Sequence, residues 1–408
     1  MSSATGMAPE VRLLLIGRGL RACVDGYVAV LLPAYLLALG YDIWHVGLLS
    51  TATLLGSALA TLALGAWGHR SSPRFLLLGA ALLMTATGLG FAGLSAFWPL
   101  LLVAFVGTLN PSAGDVSVFL PLEHARLSLA AEGHARTRLF ARYSLTGAFC
   151  AALGALAAGV PDALAGAGID RLTALRGMFA VYGGVGALIW VLYVRMPQGP
   201  VAEQTVAAAP LGPSRAIVVR LAALFSLDSF AGGLVVNSLL ALWLFERFGV
   251  SLTLAGVFFF WAGLLGAFSQ LVAPWMAGRI GLLNTMVFTH IPASLFLILA
   301  ALVPNLPLAI SFLLLRATLS QMDVPARSAY VMAVVTPAER AAAASFTAVP
   351  RSLAAALSPS FGGALFATGW LAAPLVACGC LKIAYDLALW RAFRLHPVSH
   401  MVSKVVTR

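Results

Sequence analysis

Twelve apolar stretches, each of about 20 residues or more, follow one another along the 408-residue chain with short polar connections between them. A helix of about 20 apolar residues is long enough to cross the hydrocarbon core of a bilayer. We therefore expect one membrane-spanning helix, or span, in each stretch. The stretches are residues 11–39, 43–67, 75–94, 97–120, 139–160, 172–194, 216–245, 252–277, 282–303, 306–330, 341–367 and 371–393.

The overall composition predicts the same fold class. Hydrophobic residues make up 61% of the chain and charged residues 10%, which is too little polar surface to cover a water-soluble domain. The sequence predicts an all-α, polytopic membrane protein of twelve transmembrane helices. The first stretch carries Arg18, Arg21 and Asp25, which the core of a signal peptide would not tolerate, so we expect this stretch to be retained.

The basic residues of the connections predict the orientation in the membrane. Alternate connections and the C-terminal tail hold twelve of them, whereas the opposite connections hold only Arg171 and Arg247. Such an excess marks the cytoplasmic side of a membrane. We therefore expect both termini on the cytoplasmic side, and we expect the membrane to be a bacterial inner membrane. The net charge of +11 fits basic loops beside anionic lipid, and no aromatic-studded basic segment indicates a nucleic-acid partner. The twelve are Arg70, Arg74, Arg126, Arg136, Arg138, Arg195, Arg215, Arg279, Arg340, Arg394, Lys404 and Arg408.

The two halves of the chain resemble each other. Residues 196–215 are rich in Ala, Pro and Gly and predict a flexible cytoplasmic linker between a half of residues 1–195 and a half of residues 216–408 with a short tail. At a shift of about 208 residues, Asp115 falls on Asp323, and Gly40 falls close to Gly249. The repeat predicts two six-helix bundles, and we expect a monomer.

Four aspartates lie inside apolar stretches. Asp25, Asp115, Asp228 and Asp323 fall on stretches one, four, seven and ten, so they recur at every third stretch. A carboxylate in hydrocarbon is costly and usually faces a bundle interior or a watery cavity. The spacing indicates that the four carboxylates line one central pathway, and all four are candidate proton carriers.

Twelve spans in two halves with a central linker resemble the major facilitator superfamily over nearly the whole chain. The signature of that family lies between spans two and three, where Gly65, Arg70 and Arg74 fit its pattern while His69 and Ser72 depart from it. The equivalent loop of the second half, residues 278–281, also lacks the acidic residue of the signature. The resemblance implies an alternating-access transporter whose spans one, four, seven and ten line the cavity. Exporters of the family often carry a Gly-Pro motif in span five, and span five here has none.

Charged residues cluster on single helix faces and define the candidate site. Residues 18, 21 and 25 share one face of span one, and residues 316, 320, 323 and 327 share one face of span ten. Counted along the helices, several of them fall near the bilayer middle, where such transporters bind substrate. The substrate-binding candidates are Arg21, Asp25, Asp228, Asn237, Gln270, Arg316 and Arg351. The gating candidates are Gly65, Arg70, Arg74, Arg142 and Arg327.

Structural roles compete with these functional ones. Arg21 with Asp25, and Lys382 with Asp386, are spaced as ion pairs within one helix. Arg142 and Arg327 are also placed to extend toward the cytoplasmic surface. Hydrogen bonding or packing is the expected role of His290.

No sequence signature indicates a cofactor, a metal site or an enzyme. All four cysteines lie in apolar stretches, and no Walker-type loop or nucleophile triad occurs. The interpretation is a secondary active transporter of a small solute, coupled to protons, with efflux of a drug or metabolite as one hypothesis and uptake or exchange of an organic anion as the alternative. A channel or a membrane-embedded enzyme is the alternative from another class. The expected partners are the solute, protons and the lipid bilayer.

Overall fold

The computed structural model of the protein describes residues 9–112, 117–130, 133–196, 211–336 and 339–395, and this part of the chain contains no strand. It forms sixteen α-helices. They are α1 (Pro9–Ala38), α2 (Ile43–Trp67), α3 (Pro73–Gly93), α4 (Phe97–Val106), α5 (Phe119–Ala130), α6 (Gly133–Leu156), α7 (Val160–Gly166), α8 (Arg171–Val194), α9 (Arg215–Gly233), α10 (Asn237–Phe248), α11 (Leu252–Ile280), α12 (Leu282–Leu302), α13 (Leu306–Ala317), α14 (Asp323–Val334), α15 (Arg340–Ala367) and α16 (Ala373–Phe393).

Within the described ranges, nine helical segments are long and apolar enough to cross a membrane, and they coincide with nine of the twelve predicted stretches. The fourth and tenth stretches contain the short apolar helices α4 and α13. The eleventh stretch contains the 28-residue α15, which carries two internal prolines. The fold is therefore all-helical, as predicted, and is consistent with twelve spans.

The fourth span is interrupted, although the sequence predicted one helix over residues 97–120. Between α4 and α5, the Thr108 amide donates a hydrogen bond to Thr87 Oγ1 at 3.3 Å, and the Tyr182 hydroxyl donates to the Thr108 carbonyl at 3.0 Å. These side chains satisfy backbone groups that the break leaves without helical partners, which is the condition for irregular chain at membrane depth. A Cβ on Gly107 would lie 2.4 Å from Thr87 Oγ1, so this close approach requires glycine.

The tenth span is interrupted as well, and the expectation of one continuous helix from 306 to 330 was wrong. α13 ends at Ala317 and α14 begins at Asp323. The break places Pro325 in the first turn of α14. A backbone N–H in that turn would have no helical acceptor, so the missing N–H of proline costs nothing there. In an unbroken helix the same proline would remove a hydrogen bond and clash with the preceding turn.

The chain divides into two compact units, one of Met1–Gln204 with Val250–Phe260 and one of Thr205–Gly249 with Trp261–Arg408. In the first unit, α1 and α6 pack through small residues: a Cβ on Gly26 would lie 2.1 Å from the Ala151 carbonyl oxygen, and one on Gly154 would lie 1.8 Å from the Cys23 carbonyl oxygen. Such contacts are typical of helix packing in membranes, where small residues let backbones approach.

The second unit has an apolar core between α9, α12, α14 and α16. Its fully buried side chains include Phe225, Tyr330 and Tyr385. The charged network described below comes from the same four helices.

Glu339, at the start of α15, holds the end of the predicted linker. Its Oε1 accepts hydrogen bonds from the Gly212 amide at 2.6 Å and the Ser214 amide at 3.3 Å, and its Oε2 accepts from the Ser214 and Thr336 hydroxyls, both at 2.6 Å. The hydroxyl hydrogen bonds from Ser214 and Thr336, with the backbone amides, lower the pKa of this carboxyl from 4.5 to about 2. All four donors favour the charged form.

We expect Glu339→Gln to free residues 211–214, because a glutamine presents one acceptor oxygen where the carboxylate presents two. Since the folded carboxyl titrates below its ordinary value, its stabilisation is present above about pH 4.5 and is lost as the pH falls through about 2. At neutral pH, hydrogen–deuterium exchange of the Gly212 and Ser214 amides should quicken about tenfold or more in the variant. Glu246→Gln, at an exposed position of α10, is the control, and equal exchange in the two variants would contradict the anchoring role.

Candidate functional site

The first unit contains a buried ion pair between α1 and α5. Arg21 Nη1 and Nη2 donate to Glu123 Oε1 and Oε2, each at 2.6 Å. The hydroxyls of Tyr143 and Tyr193 also donate to the Glu123 carboxylate, and the guanidinium lies 4.1 Å from the ring centroid of Phe119. Glu123 is completely buried. This is a bidentate, charge-balanced arrangement in which the carboxylate oxygens accept four hydrogen bonds.

The sequence did not single out Glu123. The fourth stretch was expected to end at residue 120, so position 123 was assigned to the cytoplasmic connection. The break between α4 and α5 adds non-helical residues to the span and brings α5 into the bundle, where the carboxylate reaches α1. One signal in the sequence could have found it. Apolar residues flank Glu123 on both sides, with Leu120 and Leu122 before it and Leu127 after it.

Asp25 lies one helical turn after Arg21 but the ion-pair partner of that arginine is Glu123. The intrahelical pair considered from the sequence is therefore not the one that forms. Asp25 Oδ1 is buried and has no hydrogen-bond partner among the described residues. A buried carboxylate without a compensating cation at hydrogen-bond distance is costly in its charged form. Such a group is suited to binding and releasing a proton.

In the second unit, Asp228 of α9 is the centre of a charged network. Its Oδ2 accepts from Arg327 Nη2 at 2.8 Å, and its Oδ1 accepts from Lys382 Nζ at 2.7 Å. Arg327 also donates to Asp323, one turn earlier on α14. Asp228, Asp323 and Arg327 are each at most 8% exposed, so this part of the network is desolvated, and its two carboxylates are balanced by the cations of Arg327 and Lys382.

The same network extends to α12 and α16 and corrects a second pairing. Lys382 binds Asp228, whereas the sequence spacing paired it with Asp386. Asp386 instead accepts from His290 Nδ1 at 3.0 and 3.1 Å. The predicted hydrogen bonding of His290 is thereby confirmed. Arg327, proposed from the sequence as a gating residue near the cytoplasmic surface, is a buried member of this network.

Two further arginines of the second unit remain without an acidic partner. Arg351 lines a cavity of about 130 Å³ together with Arg327, Phe225 and Thr347. Arg316, in the last turn of α13, is half-buried. Neither guanidinium forms an ion pair within the described ranges, because the acids of this unit's network are bound to Arg327, Lys382 and His290.

The comparisons with known proteins identify the family. Residues 14–320 match the Major Facilitator Superfamily. The chain belongs to this superfamily. It is therefore a multi-pass integral membrane protein that transports small solutes, and not an enzyme. It is 24% identical to an uncharacterized membrane protein of Saccharomyces cerevisiae, YJR124C, over 420 residues and 93% of each chain.

Solved transporters share the superfamily fold with this chain. A bacterial homologue of the human lysosomal transporter Spinster has a TM-score of 0.75 at 18% sequence identity, covering 95% of this chain and 98% of the other. A D-xylose–proton symporter has a TM-score of 0.73 at 16% identity, covering 94% and 98%. At sequence identities this low, the similarity to these structures shows a shared fold and nothing about the substrate.

The superfamily's signature loop lies in the first unit between α2 and α3. Gly65 has open space at its Cβ position, Arg70 is exposed, and Arg74 donates to the Val194 carbonyl at the end of α8. Arg142 is exposed on α6. The gating roles expected for these residues remain predictions.

The remaining candidates differ in their surroundings. Asn237 is half-buried at the first turn of α10. Gln270 is exposed and its Nε2 donates to Gln321 Oε1 at 3.3 Å. Asp115 lies outside the described residues and stays a predicted proton carrier.

Proposed function

We propose that this superfamily member is a proton-coupled secondary active transporter of a small organic anion. The observation that carries the proposal is the pair of arginines Arg316 and Arg351, which have no acidic partner among the described residues of their unit. The proposed mechanism is alternating access by two six-helix halves, residues 1–195 and 216–408, which the linker 196–215 joins. Both termini are proposed to be cytoplasmic, in a bacterial inner membrane, and the protein to act as a monomer with its solute and protons.

The chemistry of the two arginines favours an anionic group on the solute. A guanidinium presents a planar set of donors that matches a carboxylate or a phosphate, and it keeps its charge at any physiological pH. Arginines in a membrane interior are costly unless they are paired or used. Arg327 and Lys382 are paired with acids, whereas Arg316 and Arg351 have no acidic partner among the described residues and can bind a ligand. The cavity beside Arg351 is the place where we expect the acidic group of the solute to bind.

The proton-coupling part of the proposal rests on Asp25. Of the predicted carriers in the described part of the chain, Asp228 and Asp323 are held by cations, whereas Asp25 has a buried oxygen without a partner. A carboxylate can carry a proton only if its charged and neutral forms are both accessible. Asp228 and Asp323 already serve as counter-ions to Arg327 and Lys382, so Asp25 suits the role better than either of them.

Efflux of a cationic or zwitterionic drug or metabolite is the second candidate function. It is favoured by the same feature of Asp25, since a carboxylate oxygen without a hydrogen-bond partner can bind a cationic solute as well as a proton. The two functions differ in which charged residues contact the solute. Anion transport requires Arg316 or Arg351, whereas cation transport requires Asp25 for binding itself.

We expect Arg351→Gln and Arg316→Gln each to weaken binding of an organic anion by about tenfold or more, because each removes a charge-assisted hydrogen bond. Thermal-shift titration of the purified transporter with a panel of carboxylates, phosphate esters, cationic drugs and sugars identifies the solute class, since a bound ligand stabilises the folded state. Arg391→Gln, at an exposed position of α16 in the same unit, is the matched control. Stabilisation by cations alone, unchanged in both arginine variants, would contradict anion transport and favour efflux of cations.

A further inference from the structure

His290 and Asp386 form a buried pair that the proposed function does not use. His290 lies on α12 and is 4% exposed, and Asp386 lies on α16 and is 0% exposed. His290 Nδ1 is 3.1 Å from Asp386 Oδ1 and 3.0 Å from Oδ2. Neither residue is among the acids predicted to carry protons, and both come from spans expected to lie away from the pathway.

The other ring nitrogen fixes how many protons this pair holds. His290 Nε2 is 3.3 Å from Lys382 Nζ, which is itself 2.7 Å from Asp228 Oδ1. An ammonium group has donors and no acceptor, so Nε2 must offer its lone pair to Lys382. The single proton of a neutral ring then lies on Nδ1 and is donated to Asp386. The arrangement therefore contains one proton shared between His290 and Asp386.

The surrounding charges leave room for a second proton. The hydrogen-bonded network joins the three carboxylates of Asp228, Asp323 and Asp386 to the two cations of Arg327 and Lys382, so a neutral His290 leaves one negative charge in excess. One added proton balances it. The titratable and charged groups on the helices around His290 are Arg215, Arg220 and Asp228 of α9, Arg316 of α13, Asp323, Arg327 and Tyr330 of α14, and Cys378, Cys380, Lys382, Tyr385, Asp386 and Arg391 of α16. Arg351 of α15 lies outside the hydrogen-bonded network and lines the cavity beside Arg327.

A second proton changes the contact with Lys382 wherever it binds. If it binds the ring, both nitrogens carry a hydrogen. If it binds Asp386, the carboxylic acid donates to Nδ1 and the ring hydrogen moves to Nε2. In both cases Nε2 becomes a donor facing an ammonium, and the two groups separate. Asp228 Oδ1, 3.8 Å from Nε2, is the acceptor that the new N–H can reach.

We propose that His290 and Asp386 form a proton-binding site. When the site takes up its second proton, Asp228 exchanges its hydrogen bond with Lys382 for one with His290, and the Lys382 ammonium is released. The step is a proton uptake from solution with no other co-reactant. It goes beyond the proposed function, since proton binding at equilibrium does not require that transport be coupled to protons. It would make the charge that α16 presents depend on pH.

The chain offers a direct reporter of this exchange. Lys382 and Lys404 are its two lysines, so Lys404→Arg leaves Lys382 as the single side-chain amine. In nanodiscs of the full chain with ¹⁵N-labelled lysine, we expect the Lys382 Nζ resonance to shift in one step with a one-proton slope as the pH is lowered. The step should be absent in His290→Gln, because the amide of glutamine offers no site for the second proton.

His45→Gln is the matched control, because it removes an exposed histidine–aspartate pair in which His45 Nδ1 is 2.6 Å from Asp42. This variant should keep the Lys382 step. A Lys382 resonance that does not change with pH, or the same step in His290→Gln, would overturn the proposal. If His290→Gln does not fold, labelled histidine in the unsubstituted chain decides: a ring resonance must titrate with the Lys382 midpoint, and a lysine step without it also overturns the proposal.

Discussion

Asp25→Asn is expected to abolish accumulation of solute driven by a pH gradient while leaving solute exchange across the membrane intact. The asparagine keeps the size of the side chain and removes the group that binds and releases a proton. Exchange of labelled for unlabelled solute requires binding and the conformational change but no net proton movement. The measurement is transport into proteoliposomes under an imposed pH gradient, compared with counterflow at equal pH on both sides.

The stability of the Asp25 variant separates a carrier from a structural acid. Asp25 Oδ1 has no hydrogen-bond partner among the described residues, so its replacement strands no cation and the unfolding temperature should change little. Asp228→Asn, in contrast, leaves Arg327 and Lys382 without a full counter-charge and should lower stability strongly.

Asp42→Asn is the matched control for Asp25→Asn. Asp42 caps α2 by accepting from the His45 amide at 3.1 Å, and asparagine caps helices about as well as aspartate. This variant should keep both gradient-driven transport and stability. Gradient-driven accumulation that survives in Asp25→Asn would exclude Asp25 as the carrier and leave Asp115 as the next acid to test.

The hydrophobic pattern was sufficient to predict the membrane-spanning fold. Apolar stretches of bilayer length depend only on composition along the chain, and outside the fourth stretch their positions agree with the helices of the structure to within several residues. The breaks in spans four and ten were less predictable, because they depend on what lies beside them. Thr87 and Tyr182 come from α3 and α8, and no local pattern around Thr108 shows that they will satisfy its backbone groups.

The charged residues show the same division between local and tertiary information. Charges in apolar stretches are visible in the sequence at once, and the structure buries three of them, Asp228, Asp323 and Arg327. The within-helix pairs Arg21–Asp25 and Lys382–Asp386 that the spacing offered do not form, because Arg21 binds Glu123 and Lys382 binds Asp228. Arg327 binds its within-helix neighbour Asp323 and also Asp228 of another helix. A residue four positions away on a helix is a partner by default, but a bidentate or better desolvated partner from a neighbouring helix is stronger. Which helices are neighbours is a property of the fold and not of the local sequence.

The largest loss of stability is expected from Glu123→Leu. The substitution leaves Arg21 buried with one neutral hydroxyl partner, Tyr193 at 3.0 Å, and removes the acceptor of the Tyr143 hydroxyl. Breaking a buried ion pair by removing one partner typically costs about 3–5 kcal/mol. Arg21→Met should cost less, because the Glu123 carboxylate would keep both tyrosine hydroxyls as donors. Equilibrium unfolding in mixed micelles measures the two differences.

The double variant Arg21→Met with Glu123→Leu tests both the ion pair and the role of Arg21. Replacing both charges by apolar groups of similar size leaves no uncompensated ion, so the double variant should be more stable than Glu123→Leu alone. Additive losses in the double variant would show that the two side chains act independently and would contradict the ion pair as their main role. The folded double variant then decides whether Arg21 binds solute. Unchanged stabilisation by the solute shows that the pair holds α1 to α5, whereas lost stabilisation assigns Arg21 to the binding site that its sequence position first indicated.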